Sequence, residues 1–169
     1  YYVDTVGRNK KVIEEYLKEE YRLVHSDEKE NEKIKLTEEQ KEVITECKKN
    51  INSFTPYLLH GVTGSGKTEV YMQLINEVLN NKKTALVLVP EISLTPQFIN
   101  NFKNRFGSNI AVLHSRLSDG EKYDEWRKID SGEVKIVIGA RSAIFAPIKN
   151  IGIIVIDEEH SDSYKQENN

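Results

Sequence analysis

The chain has 169 residues, enough for one domain with a core of its own, and 38% are hydrophobic against 30% charged. No apolar run is long enough to span a bilayer and no signal-peptide pattern opens the chain, so membrane and secreted classes drop out and a cytoplasmic protein is the expectation. A net charge of −3 excludes a globally basic nucleic-acid binder but not a local basic groove, and the lone Cys47 excludes a disulfide framework and zinc-finger spacing.

Residues 1–35 read as a unit apart, the end of a preceding domain. Arg8–Tyr21 carries Val12, Ile13, Tyr16 and Leu17 on one helical face, and Ser26–Lys35 is a charged linker. The second unit, 36–169, opens with a helix from Leu36-Thr37 to about Asn50, with Val43, Ile44 and Cys47 turned inward. Thr37 and Gln40 have capping-box spacing, in which the Gln40 side chain returns to an orphan backbone N–H. Gln40 carries a second reading with equal weight: its carboxamide both donates and accepts, which suits the edge of an adenine.

Thr55–Leu59 is a short β-prone run, expected to form a strand. Gly61-Val62-Thr63-Gly64-Ser65-Gly66-Lys67-Thr68 follows it and fits G-x-x-x-x-G-K-[ST], the pattern of phosphate-binding loops. Thr68–Leu79 then repeats apolar residues at helical spacing: Val70, Tyr71, Leu74, Ile75, Val78 and Leu79. The chemistry needs that context. Gly61, Gly64 and Gly66 let the backbone N–H groups of the loop, Thr63 and Ser65 included, turn inward around phosphate oxygens. The helix N-terminus adds its positive end. Lys67 is expected at the β- and γ-phosphates and the Thr68 hydroxyl on Mg²⁺. The bland alternative is a glycine-rich turn before a helix, against which both flanks argue.

Thr84–Val89 is a continuous apolar run, as in a strand buried on both faces, and Pro90 ends it. Glu91–Gln97 leads into a helix with Thr95 as N-cap and Pro96 in its first position. Asn109–Leu113 is a further short strand. Ser118 and Glu121 form a second capping box, opening a helix on which Tyr123 and Trp126, with Ile129, are expected in the core rather than as stacking platforms for bases. Glu133–Ile138 is a strand, Gly139–Ala143 the loop after it, and Gly152–Ile156 the last strand. Strands alternating with helices define an α/β fold with a doubly wound, mainly parallel sheet. Ligands bind such sheets beyond the carboxyl ends of the strands, where the loops 61–68, 90–97, 139–143 and 157–160 fall.

The last strand delivers Asp157 and Glu158 to that edge. Asp157 is expected to hold Mg²⁺, usually through water, and Glu158 to orient and deprotonate the attacking water. The alternative is an acidic turn facing solvent. Glu159 carries no assigned role, and His160 either couples nucleotide state to neighbouring segments or caps the local turn. Arg141 and Ser142 have the character of phosphate-backbone readers, and a surface ion pair is the equal alternative for Arg141.

The string Leu59–Tyr71 resembles motif I of the PriA family of replication-restart DNA helicases. Leu88–Gln97 is similar to its motif Ia, and Leu113-His114-Ser115 with Leu117-Ser118, Ile136–Pro147 and Val155–His160 with Ser163–Gln166 continue the likeness from about Leu36 onward. Motif I alone is shared by very many ATPases; Glu91–Gln97 and Ile136–Pro147 are far more selective. The resemblance implies the first of two RecA-like lobes of a superfamily 2 helicase that uses ATP to move 3′ to 5′ on DNA at stalled forks. It implies nucleotide roles for Gln40, Lys67, Thr68, Asp157 and Glu158, and a single-stranded DNA face at Pro90, Glu91, Gln97, Arg141 and Ser142. Partners implied are forked and single-stranded DNA and the primosome proteins, with no membrane. The family's zinc region, second lobe and N-terminal DNA-binding domain have no counterpart in these residues, so zinc is expected only elsewhere in such a protein, and the chain reads as a piece of a longer one.

Rival readings are a related repair or branch-migration translocase, against which Glu91–Gln97 argues, a P-loop kinase or transporter ATPase, and a non-catalytic interaction module. One expectation concerns the sheet. RecA-like lobes place the strand after the acidic motif between the phosphate-loop strand and the acidic-motif strand, and Ser161–Asn169 is too polar to supply it. The slot between Tyr57–Leu59 and Gly152–Ile156 is expected to be filled by the N-terminal segment or a neighbouring molecule, or closed by the two strands pairing directly.

Overall fold

Thr84–Leu88 forms the strand on which the molecule is built, because every side chain in it is apolar or small enough to be buried on both faces. The computed structural model describes residues 36–62, 64–158 and 161. The helix expected at Arg8–Tyr21, the linker at Ser26–Lys35, Thr63, Glu159, His160 and the tail after Ser161 lie outside the described residues.

In chain order the elements are α1 (Glu38–Lys49), α2 (Lys67–Asn80), β1 (Thr84–Leu88), α3 (Pro96–Phe106), β2 (Ile110–Leu113), α4 (Asp119–Ser131), β3 (Ile136–Gly139) and β4 (Ile151–Ile156). Short 3₁₀ turns at Glu91–Ser93 and Arg141–Phe145 follow β1 and β3. The four strands make one parallel sheet in the order β2-β3-β1-β4. Ala85 faces Ile136 of β3 on one side and Ile153 of β4 on the other. Because all strands run the same way, the loops after β1, β2, β3 and β4 gather at one edge, as the alternation of strands and helices predicts.

Helices cover both faces. On one, Tyr71, Met72 and Ile75 of α2 and Phe102 of α3 pack on Ala85, Val87, Ile136 and Ile138. Phe102 is fully buried, with Phe98 and Phe106 one turn to either side at ring-centroid distances of 5.1 and 6.0 Å. Truncating such a residue costs about 3–5 kcal/mol. On the other face, Ile129 of α4 and the 3₁₀ residue Ala143 pack on Leu86, Leu88, Val137 and Leu113. The helix starts follow their caps: Thr37 and Ser118 form capping boxes with Gln40 and Glu121, and Thr95 accepts the N–H of Phe98 ahead of Pro96.

Three expectations are corrected. Thr55–Leu59 is not a strand; Tyr57 and Leu58 are exposed and Phe54 beside them is 97% exposed. A strand exists only through its ladder, Pro56 removes one donor, and no described residue pairs with this run. The slot between two strands therefore does not form. β4 pairs with β1 on one side, and among the described residues nothing pairs with its other side, so direct closure of Tyr57–Leu59 on β4 is not seen. Filling by the N-terminal segment falls outside the described residues. Finally, Tyr123 and Trp126 are not core: they are 65% and 42% exposed. Ile129 fixes the inward direction of α4, and at 3.6 residues per turn Trp126 lies roughly 60° and Tyr123 roughly 120° away from it. Tyr123 instead carries the Arg127 guanidinium over its ring at 5.8 Å.

Candidate phosphate-loop site

The loop before α2 turns on two glycines. Gly64 and Gly66 sit at φ 81° and 82°, the left-handed region that a side chain disfavours. Gly66 is the N-cap of α2 and offers no side-chain cap, so the first-turn N–H groups of the helix face the loop without a side-chain partner. Gly61 lies close to the Ser65 hydroxyl, which a side chain there would strike. Ser65 N–H donates to the Val62 carbonyl at 3.1 Å and tightens the loop. Lys67 folds back on the loop, donating to the carbonyls of Gly61 and, at 3.0 Å, Val62. An ammonium held by two neutral carbonyls is ready to move to an anion, which is the stronger acceptor.

Gln40 sits against the same loop. Its Oε1 accepts the Thr37 N–H at 2.9 Å, completing the capping box, while Nε2 reaches the carbonyls of Ser65 and Gly66 at 3.4 and 3.5 Å. The capping reading of Gln40 is therefore present, joined to a contact with the phosphate loop that the cap spacing does not foretell.

The acidic strand end reaches this loop through Tyr71. The Tyr71 hydroxyl lies 3.1 Å from Thr68 Oγ1 and 3.2 Å from Asp157 Oδ2. Asp157 N–H continues the ladder to the Leu88 carbonyl at 2.9 Å, and its Oδ1 accepts the Glu158 N–H at 3.1 Å. Burial, and then the nearby Asp157 charge, push the Tyr71 phenol well above its ordinary range, so it stays a neutral donor. Glu158 is exposed and sits at φ 50°, an uncommon conformation for a residue with a side chain. Sequence reasoning placed Tyr71 on an apolar helix face only; its position three residues after Thr68, on the same side of the helix, was the available signal.

A hydroxyl and a carboxylate are hard oxygen donors and fit Mg²⁺. Among the described residues no three His, Cys, Asp or Glu side chains converge. Thr68 and Asp157 are thus too few for a resident cation and suit one that shares phosphate and water oxygens.

The residues assigned to a DNA face divide. Glu91, Gln97, Arg141 and Ser142 are exposed at the carboxyl edge of the sheet. Pro90 is fully buried and shapes the turn, its carbonyl accepting the Ser93 N–H at 2.8 Å. Glu91 Oε1 accepts the Ser115 N–H at 2.9 Å, and the hydrogen bonds from Ser115, with lesser help from His114 and Arg116, hold its carboxyl below the usual range. It thereby ties the loop after β1 to the loop after β2. The network of Glu69 was not foreseen either. Arg105 Nη1 of α3 lies 3.0 and 3.2 Å from its two oxygens, and Gln73 Nε2 donates to it at 2.8 Å.

A parallel sheet covered by helices on both faces, with a glycine phosphate loop opening α2, defines a RecA-like P-loop lobe. Residues 33–169 match the family described as "Type III restriction enzyme, res subunit", and the chain belongs to that family. It is similar to "Replication restart protein PriA" of Bacillus subtilis (strain 168), 56% identical over 162 residues, which cover 94% of this chain and 20% of that protein. The protein of the same name from a Synechocystis species is 56% identical over 116 residues, covering 69% and 14%. That of Chlamydia pneumoniae is 50% identical over 115 residues, covering 68% and 15%. The resemblance to the PriA family that the motifs carry is borne out. The chain spans a fifth or less of the length of these relatives. Among the described residues no helix is long and apolar enough to cross a membrane.

Proposed function

We propose that the chain is the ATP-binding lobe of a 3′–5′ DNA helicase acting in replication restart at stalled forks. The observation that carries this reading is the junction of the phosphate loop with the acidic strand end, Thr68 to Tyr71 to Asp157. Likeness to replication restart proteins supplies the DNA context. In this reading the N–H groups of the loop from Gly61 to Thr68, with Thr63, Gly64, Ser65 and Gly66 between, bind the phosphates. Lys67 leaves the carbonyls of Gly61 and Val62 for the β- and γ-phosphates. Gln40 turns its carboxamide from the Thr37 N–H and the carbonyls of Ser65 and Gly66 to the edge of the base. Thr68 and Asp157 hold Mg²⁺, which neutralises phosphate charge when bound. Glu158 takes the proton of the water that attacks the γ-phosphorus as the bond to ADP breaks.

Glu91, Gln97, Arg141 and Ser142 form the face toward single-stranded and forked DNA, Pro90 acting through the turn it sets. The primosome and other replication-restart proteins are the proposed partners. The test is unwinding of a forked DNA substrate with ATP by a longer protein that joins this lobe to a second one, the lobe by itself being expected to hydrolyse ATP only very slowly. The reading expects DNA-stimulated hydrolysis and displacement only from a 3′ single-stranded loading end. Hydrolysis indifferent to DNA, or 5′ loading, rejects it.

A further inference from the structure

We infer that Tyr71 is a positioning residue for the metal-binding pair: its hydroxyl sets the separation of Thr68 and Asp157 and turns the Thr68 proton away from the cation. The inference rests on the nucleotide reading above and goes beyond it, since motif spacing gives this tyrosine no role.

Tyr71 is 4% exposed, and its ring lies nearly parallel to that of Phe102 at 6.3 Å between centroids. Its place is thus set by the core between α2, α3 and the sheet, not by the site. From that fixed point the hydroxyl touches two residues 89 positions apart in sequence, at 3.1 Å to Thr68 Oγ1 and 3.2 Å to Asp157 Oδ2. A phenol has one proton and two lone pairs. The carboxylate is charged and is the stronger acceptor, so the phenol proton goes to Asp157. A lone pair of Tyr71 Oη is then free to accept the proton of the Thr68 hydroxyl. With that proton occupied, Thr68 presents a lone pair to a cation without having to reorient. Asp157 is steadied from the other side by the Glu158 N–H on Oδ1 and by its own N–H on the Leu88 carbonyl. Partners of metal ligands commonly change metal affinity by about 10–100-fold when removed.

Tyr71→Phe keeps the ring on Phe102 and deletes only the hydroxyl. The experiment measures ATP binding to the protein by calorimetry, once with the metal chelated and once across a Mg²⁺ titration. Tyr123→Phe, on the exposed face of α4, is the control, and thermal melting confirms that both variants are folded. Tyr71→Phe is expected to raise the Mg²⁺ midpoint about tenfold while leaving metal-free ATP binding unchanged. A wild-type midpoint in Tyr71→Phe overturns the inference. So does an equal loss of metal-free binding, because that is what a merely structural tyrosine gives. Should Tyr71→Phe melt below the assay temperature, Thr68→Ser in the wild-type background takes its place: it keeps the hydroxyl but frees its rotation, and the inference then expects a smaller rise in the same midpoint, with no rise overturning it. A wild-type protein that binds ATP without any Mg²⁺ dependence sinks the nucleotide-site reading itself, an outcome distinct from the failure of Tyr71 alone.

Discussion

Lys67 precedes Thr68 and Glu158 follows Asp157, the two residues that Tyr71 joins, yet they are asked to do different things. Lys67 now donates to two loop carbonyls, so its charge is held but not neutralised. A hydrogen bond to a charged group is worth about 1.5–3 kcal/mol, and Lys67→Ala should weaken ATP binding by about ten- to a hundredfold. In a longer protein that includes the second lobe, Glu158→Gln should leave binding intact, since an amide still hydrogen-bonds water, and lower hydrolysis by about 10²–10⁴-fold because it cannot take the proton. Calorimetric titration beside a phosphate-release assay separates the two, and equal loss of affinity in both variants would refute the division of roles. At this scale the sequence is a good guide to residues that bear charge in a spaced pattern. It is a poor guide to Tyr71, whose hydroxyl matters only because folding brings Asp157 to it.

Among the described residues, α2 and α3 are tied to one another by a part-buried ion pair. Glu69 follows Thr68 directly on α2, and Arg105 lies near the end of α3, whose start carries Gln97. Their side chains are 13% and 26% exposed, so the pair is screened less than a surface bridge. A double-mutant cycle with Glu69→Gln and Arg105→Gln, read by chemical denaturation, should give a coupling of about 1 kcal/mol or more. Strict additivity would mean that α2 and α3 are joined by packing alone. Helix starts were legible here because Thr37, Thr95 and Ser118 satisfy orphan N–H groups locally, within three residues. Thr55–Leu59 was misread because a strand depends on a partner that local sequence does not contain. Tyr123 and Trp126 were placed on the right helix but the wrong face, since two aromatics outweigh one Ile129 in a pattern and not in the packed structure.

Over the whole molecule, the parallel order β2-β3-β1-β4 brings the loops bearing Glu91, His114 to Ser118, Arg141 and Asp157 to one edge. β2 and β3 are neighbours, and the Ala140 N–H reaches the Leu113 carbonyl at 3.4 Å, so the loops with Arg116 and Arg141 start side by side. The edge also carries Glu91 and Asp157, so in a chain of net charge −3 the proposed contact with DNA falls to these two arginines and not to a broad basic patch. In the longer protein, Arg141→Ala should weaken single-stranded DNA binding about equally for all sequences and reduce the salt dependence by roughly one counterion. An unchanged salt slope would return Arg141 to a surface role. The sheet order itself was not legible from the sequence, which shows alternation and not adjacency. The most direct measurement is an experimental structure of the protein with Mg²⁺ and a non-hydrolysable ATP analogue. The phosphates are expected in the loop from Gly61 to Thr68, with Lys67 moved off the carbonyls of Gly61 and Val62 onto them; a nucleotide bound elsewhere, with Lys67 still on those carbonyls, would overturn the phosphate-loop assignment.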